Sequence, residues 1–363
     1  MRGGERCLEV FCELFPEADL FTLLHVRGSV SPIIEKMNIR TSFLQHLPFI
    51  KKKYRLYLPL YPSAIESLNI KGYDVVLSIS HVAAKGVIPG PSAFHMTYLL
   101  TPMRYAWDMY HEYFGDGYRG RFTKPLMPMV ANYLRLWDIA SNNRVDQFIC
   151  ISGHVAKRLR KYYRRDGEVI HPPVHIEKFH IEKTVDDFYL IVSAFAPYKR
   201  LDLAISAFNQ LKKPLVIIGK GQEEKRLKAI ANSNIEFLGW QPDEVVAEHY
   251  SKCKALIFPG EEDFGITPLE AMASGRPVIA YGRGGVLETM IPFDLENEGS
   301  ECAPTGVLFP EQTEKALIAA VETFESNQDQ FDSKTLREHA KKWDRANFKE
   351  RIKSYIETRL RMM

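Results

Sequence analysis

Short apolar runs alternate with amphipathic segments along the whole chain, the pattern of parallel α/β layers. In the first half, residues 18–26 (ADLFTLLHV), 73–80 (YDVVLSIS), 94–100 (FHMTYLL) and 146–152 (DQFICIS) read as buried strands. Residues 3–16 (GGERCLEVFCELFP) read as a helix with Leu8, Phe11, Cys12 and Phe15 on one face. Residues 101–128 are dense in aromatics, Gly and Pro and predict a long ordered loop with short helices that builds a binding surface. The segment HPPVHIEKF (171–179) predicts a linker, because two prolines resist both helix and central strand. A second alternation follows. Strands are expected in FYLIVSAF, PLVIIGKG, IEFLGW, KALIFPG, PVIAYG and TGVLF, with helices in KRLDLAISAFNQL and QEEKRLKAIA. The charged, amphipathic C-terminal stretch predicts helix. Together these elements predict two doubly wound domains with a ligand cleft between them.

A length of 363 residues suits two cores rather than one. The 45% hydrophobic and 26% charged residues are those of a globular protein. Five scattered cysteines (Cys7, Cys12, Cys150, Cys253, Cys302) lack metal or redox spacing, which points to reduced thiols in the cytoplasm. No apolar run reaches the roughly 18 to 20 residues of a membrane span, and no signal peptide opens the sequence. The net charge of +3 is uneven. Residues 1–172 hold 23 Lys/Arg and 15 Asp/Glu (+8), and residues 173–363 hold 25 and 30 (−5). Two basic, Tyr-rich patches, 51–61 and 156–165, fit either an anionic membrane or phosphorylated acceptor, or simply a solvated helix face. No nucleic-acid-binding motif accompanies them, so no nucleic-acid partner is expected.

The densest chemistry lies in GEEDFGITPLEAMASGRPVIAYGRGG (260–285), a strand exit, a loop and a helix start. Thr267 as N-cap with Pro268 at N1 would put Glu270 at N3, a capping box that explains Glu270 without a ligand. A helix start at the carboxyl end of a strand also offers N–H groups to a diphosphate. Gly265 then permits close backbone approach. Glu262 has no capping role and suits sugar hydroxyls, and Glu270 suits a ribose diol. The GRGG turn (282–285) makes a second candidate anion-binding helix start.

This stretch resembles the Glu-x7-Glu signature of the retaining family 4 glycosyltransferases, whose GT-B fold has two Rossmann-like domains facing across a cleft. GGERCLE resembles their N-terminal glycine loop, SAFAPYKRLDLAI their phosphate-binding turn and HPPV the entry to their donor domain. TPMRYAWD and PYKRLDLA resemble the bacterial branch near mannosyltransferases of O-antigen and polysaccharide assembly. The resemblance implies an acceptor domain over 1–172, a nucleotide-sugar domain over 173–342, and a C-terminal helix over 343–363 that packs on the first domain. It implies that Glu262 and Lys199 are catalytic, with Glu262 on the donor sugar and Lys199 on the diphosphate. It implies Glu270 on the ribose and Phe264, Gly265, Ile266 and Thr267 presenting backbone to sugar and diphosphate. Arg200 stands beside Lys199. Gly219, Gly221, Gly239 and Trp240 line the nucleotide pocket or are plain turn residues, and Gly3 and Gly4 form the N-terminal glycine loop.

Three departures from the family pattern stand out. The strand that usually precedes the glycine loop is absent, which is expected to expose apolar surface and an unpaired edge. Met1 is then internal to a longer protein, or the chain is a truncated copy. Leu100 occupies the place of a histidine, for which His81 or His95 is a candidate substitute. Ala194 replaces an arginine. The expected function is retaining transfer of a hexosyl group, mannose from GDP-mannose, to a polysaccharide or lipid-linked glycan. The diphosphate leaving group assists the incoming hydroxyl, and no cofactor or metal is involved beyond the nucleotide sugar. The expected location is the cytoplasm, with peripheral contact to the inner membrane face through the basic half. The alternatives are an inactive sugar-nucleotide-binding paralogue that partners an active transferase, and an epimerase of the same architecture.

Overall fold

The structure, a computed structural model, describes residues 3–111, 127–294 and 303–362. The loop expected over 101–128 therefore falls largely outside the described residues, as does Cys302. The chain divides into one unit of Met1–Pro172 with Lys349–Met363, and a second of Pro173–Phe348.

The second unit is built on six parallel strands: β7 (Tyr189–Val192), β8 (Leu215–Ile218), β9 (Ile235–Gly239), β10 (Leu256–Phe258), β11 (Val278–Tyr281) and β12 (Gly306–Phe309). Their order in the sheet is β12-β11-β10-β7-β8-β9. Numbered from the start of the unit this is 3-2-1-4-5-6, the doubly wound Rossmann order, which reverses direction between β7 and β10. Helices cover both faces, so the central strands read as unbroken apolar runs rather than alternating ones. All of β10 and β11 is buried. The helix Leu201–Leu211 buries Leu201, Leu203, Ala204, Ile205, Ala207 and Phe208. The ring of Phe208 meets that of Tyr189 of β7 edge-on at 5.2 Å.

The first unit has a four-stranded parallel sheet, β3 (Val75–Ser80), β4 (Phe94–Leu99), β5 (Gln147–Cys150) and β6 (Gly167–Val169), in sequence order. A separate parallel pair joins β1 (Asp19–Thr22) to β2 (Asn38–Thr41). Residues 18–26 were expected to be one buried strand. Only four of them pair, all half-buried, because the partner strand Asn38-Ile39-Arg40-Thr41 is short, polar and alternately exposed. The predicted linker also departs from expectation. The chain does leave the first unit at Pro172, but Val174, Ile176 and Phe179 are buried. The N–H of Val174 donates to the Trp343 carbonyl and that of Arg345 to the Val174 carbonyl, each at 3.0 Å. The C-terminal stretch is helical but interrupted: Ser333–Ala340, a tight turn at Lys341–Trp343, extended Asp344, then Arg345–Arg361. Lys349, in the last helix, pairs with Glu13 at 3.3 Å. Among the described residues, no helix is long and apolar enough to cross a membrane.

One buried ion pair fastens the first unit. Lys85, after β3, is 1% exposed and sets its ammonium 3.0 Å from the Asp138 carboxylate, itself fully buried. The same nitrogen donates to the Asp138 carbonyl and to Ser141 Oγ, both at 2.6 Å. Trp107 Nε1 and the Tyr163 hydroxyl donate to the other carboxylate oxygen at 2.8 and 2.7 Å. Burial pushes the Lys85 amine below its ordinary pKa, while Asp138 acts to raise it again. The pair clamps the inner face of the helix Met127–Ala140 to the sheet. Removing one partner of such a pair typically costs about 3 to 5 kcal/mol, because the survivor is left charged and dry. Lys85→Met is therefore expected to lower unfolding free energy by about that amount. The double replacement Lys85→Met/Asp138→Asn, which removes the stranded charge but keeps an acceptor for Trp107 and Tyr163, is expected to recover part of it, with urea denaturation as the measurement.

Candidate active site

The loops leaving β7 and β10 begin at the switch point, where an open parallel sheet leaves room for a ligand. The first is Ser193–Arg200. Pro197–Lys199 is a single tight turn, and Arg200 then adopts a left-handed conformation, φ 52°, before the helix Leu201–Leu211 begins. A non-glycine residue in that region costs roughly 1 to 2 kcal/mol and persists only where its surroundings hold it. Here the Arg200 guanidinium reaches Asp202 at 3.3 Å and Gln312 at 3.5 Å, and Gln312 donates to the Pro259 carbonyl at 2.8 Å. Arg200 thus braces the turn from the side of Asp202 and Gln312.

The second loop, Pro259–Gly265, carries Glu262. Its carboxylate forms an ion pair with the Lys199 ammonium, both side chains mostly buried. The pair is possible because glycines let three backbones meet. A Cβ on Gly260 would lie 2.9 Å from both Lys199 Cα and the Tyr198 carbonyl oxygen. A Cβ on Gly284 would collide with the Glu262 carbonyl, and one on Gly285 would overlap the Phe264 backbone. The Gly285 N–H donates to the Glu262 carbonyl at 2.8 Å, and Glu262 and Gly284 are paired as a parallel bridge. That bond corrects one expectation. The Gly285 N–H is spent inside the protein, and the GRGG turn opens only the four-residue helix Gly285–Glu288.

The capping box is also corrected. The helix runs Ile266–Ala273, its N-cap is Gly265 at φ 90°, and no side chain caps it. Thr267 and Pro268 are already inside the first turn, where proline removes no helical hydrogen bond. Glu270 is therefore at N5, two residues deeper than the N3 position that a capping box needs. It is buried, and Tyr250 donates its hydroxyl to Glu270 Oε2 at 3.1 Å. A buried carboxylate held by a tyrosine is not explained by helix capping. Phe264, Gly265, Ile266 and Thr267 thus form the junction between the Glu262 loop and an uncapped helix start.

Gly219 and Gly239 end β8 and β9. The Gly219 N–H donates to the Gly239 carbonyl at 2.7 Å, and a Cβ on Gly219 would overlap the Ser193 carbonyl. Gly221 lies against Phe195, where a Cβ would come within 2.7 Å of the backbone nitrogen. Trp240, next to Gly239, is 67% exposed. These residues line the same carboxyl edge of the sheet as Lys199 and Glu262. The residues that the sequence reading missed are Tyr250, Gln312 and Gly260, each acting through a partner distant in sequence.

In the first unit, Gly3 and Gly4 belong to the helix Gly3–Leu14 rather than to a loop. A Cβ on Gly4 would come within 2.8 Å of Leu100 Cδ1, so this helix start lies against Leu100. His95 does not substitute for the replaced histidine. It is fully buried, its Nδ1 donates to the Arg144 carbonyl at 2.8 Å, and its Nε2 accepts from Ser78 Oγ at 2.9 Å. Burial depresses its pKa to about 4. The ring is a neutral structural element of the sheet.

Known proteins can be set against this geometry. The chain is 33% identical over 151 residues to an uncharacterised glycosyltransferase of Methanocaldococcus jannaschii, covering 40% of this chain and 43% of that protein. It is 31% identical over 158 residues to O-antigen chain mannosyltransferase C of Escherichia coli, covering 41 and 40%. It is 34% identical over 119 residues to a GDP-mannose-dependent alpha-mannosyltransferase of Mycolicibacterium smegmatis, covering 31% of each. The matches thus span less than half the length of these relatives. The fold is similar to that of sucrose-phosphate synthase from Thermosynechococcus elongatus, with a TM-score of 0.71, 18% identity, and coverage of 98 and 92%. The architecture is therefore GT-B, and residues 175–347, which hold every element of the Lys199–Glu262 site, match the family Glycosyl transferases group 1.

Proposed function

We propose that this chain is a retaining glycosyltransferase that moves mannose from GDP-mannose to a polysaccharide or lipid-linked glycan. The observation that carries the reading is the Lys199–Glu262 ion pair at the switch point of a 3-2-1-4-5-6 sheet, beside an uncapped helix start. The names of the mannosyltransferase relatives support the choice of sugar.

In this reading the donor diphosphate takes the Lys199 ammonium and the first-turn N–H groups of the helix Ile266–Ala273. Glu262, released from Lys199, turns to the sugar hydroxyls. Glu270, oriented by Tyr250, holds the ribose, and Gly219, Gly239 and Trp240 border the base. The bond from the anomeric carbon to the phosphate oxygen breaks, and the departing diphosphate carries its electrons. The acceptor hydroxyl oxygen bonds to the anomeric carbon on the same face and passes its proton to the leaving phosphate. No protein nucleophile and no cofactor are required. The protein supplies positioning and fixed positive charge where negative charge develops. The first unit binds the acceptor, and its basic surface meets an anionic membrane peripherally, on the cytoplasmic side. An inactive sugar-nucleotide-binding copy is not favoured, since Lys199 and Glu262 are paired at the switch point even though Ala194 stands in place of the family arginine.

Loss of one preorganised donor typically costs about 3 to 4 kcal/mol in the barrier. Lys199→Ala is therefore expected to cut turnover by about a hundredfold or more in a transfer assay. Near-parental turnover would reject the assigned role. Calorimetric titration with GDP-, UDP- and ADP-sugars is expected to give tightest binding with GDP-mannose, and tighter binding of a UDP-sugar would reject the donor.

A further inference from the structure

The helix Met127–Ala140 is largely apolar on both sides, with Asn132 the one uncharged amide exposed in its outer face. Its inner face, with Ala131, Leu134 and Asp138, is buried against the first unit. Its outer face carries Met129, Tyr133, Leu136 and Ile139, spaced four, three and three residues apart, which is one helical stripe. Met129 is 70% and Leu136 63% exposed. The only two charges of the helix do not reach this stripe, since Asp138 is buried and Arg135 donates to the Ala106 carbonyl. A surface helix ordinarily turns charged residues outward, and one whose outer face is uncharged and mostly apolar is suited to a second apolar medium.

A second segment lies alongside. Leu58 and Trp137 both pack against the two apolar clusters that underlie this part of the unit, so residues 50–60 and the helix are neighbours. This segment also turns apolar side chains outward, with Phe49 74% and Leu56 62% exposed. Among the described residues, eight of the fifteen exposed large hydrophobic residues fall within residues 43–60 and 127–140. The exposed cations Lys51, Lys53 and Arg55 stand among them, with Lys53 over the Phe49 ring and Arg55 over that of Tyr54. Residues 36–65 contain six Lys/Arg and no acidic residue.

We propose that the outer face of the helix Met127–Ala140, with the Phe49–Leu60 segment beside it, is the surface by which this protein lies on an anionic phospholipid bilayer. The proposal deepens the reading of a membrane-bound acceptor by naming the surface. The apolar stripe enters the boundary between headgroups and acyl chains, as an interfacial helix does, and the lysines meet lipid phosphates at its rim. The cations select this occupant over a second copy of the chain, because two copies meeting through this face would bring their basic clusters together.

The test is co-sedimentation of the full chain with vesicles of phosphatidylcholine alone or with phosphatidylglycerol added. The chain is expected to pellet with the anionic vesicles about tenfold or more better than with neutral ones. Leu136→Ser/Ile139→Ser is expected to lower that partition about tenfold. Lys51→Ala/Lys53→Ala is expected to lower it to a similar degree, by about tenfold at low salt, with little effect on neutral vesicles. All four side chains are exposed or at the surface, and unchanged thermal unfolding of each variant shows that the fold survives. Equal binding to both vesicle types, or anionic binding unchanged in both variants, overturns the proposal. So does sedimentation velocity showing a dimer that Leu136→Ser/Ile139→Ser dissolves, without vesicle binding. Vesicle binding needs no sugar nucleotide, so failure here leaves the donor-binding reading standing, and failure of donor binding leaves this surface standing.

Discussion

The site depends on backbone crowding at the carboxyl ends of β7 and β10. Lys199 reaches Glu262 because Gly260 carries no side chain where the Pro197–Lys199 turn passes over it. Glu262 in turn is held by the Gly284–Gly285 backbone: a Cβ on Gly284 would collide with the Glu262 carbonyl, and one on Gly285 with the Asp263–Phe264 backbone that follows it. Three separate loops are thus fixed by close approach rather than by long side chains. Such contacts leave a carboxylate and an ammonium as the groups that can exchange partners. In the proposed reading an incoming diphosphate would compete with Glu262 for Lys199, which would make donor binding and release of Glu262 one event. The strained Arg200, braced by Asp202 and Gln312, keeps the Lys199 turn in the conformation that makes this exchange possible.

The first unit solves a different problem. The Lys85–Asp138 pair, with Trp107, Tyr163 and Ser141 around it, ties the inner face of the helix Met127–Ala140 to the sheet. With its charged groups consumed on the inside, the helix is free to be mostly apolar on the outside. A rigid interior clamp and a sticky exterior face on one helix belong together, because a loosely held apolar helix would refold around its own surface. The basic cluster beside it supplies the orientation that an apolar stripe alone lacks.

Much of this was legible in the sequence because the signals were local. Six apolar runs of the second half became the six strands of one sheet, since both faces of that sheet are covered and each run is continuous. Glu262 was singled out from a local motif and Lys199 from the family resemblance of its turn, and the structure pairs the two side chains. The failures were of two kinds. The strands Asn38–Thr41 and Gly167–Val169 are short and polar, with no period to detect. Thr267 and Glu270 have capping-box spacing, but the left-handed Gly265 is the N-cap two residues before Thr267, which places Glu270 at N5, beyond reach of the cap. Tyr250, which holds Glu270 from twenty residues away, and Gln312, which braces a turn more than a hundred residues earlier, leave no trace in local pattern. Their roles exist only once the sheet order brings the loops together.

The proposed mechanism turns on an exchange of partners by Lys199 and Glu262 when a nucleoside diphosphate arrives. The direct measurement is calorimetric affinity for GDP, without sugar, in Lys199→Ala and Glu262→Gln. The account predicts opposite signs. Lys199→Ala weakens GDP binding, whereas Glu262→Gln strengthens it severalfold, because the competing carboxylate and its repulsion of the diphosphate are gone. Weaker GDP binding in Glu262→Gln, or unchanged affinity in both variants, would contradict it.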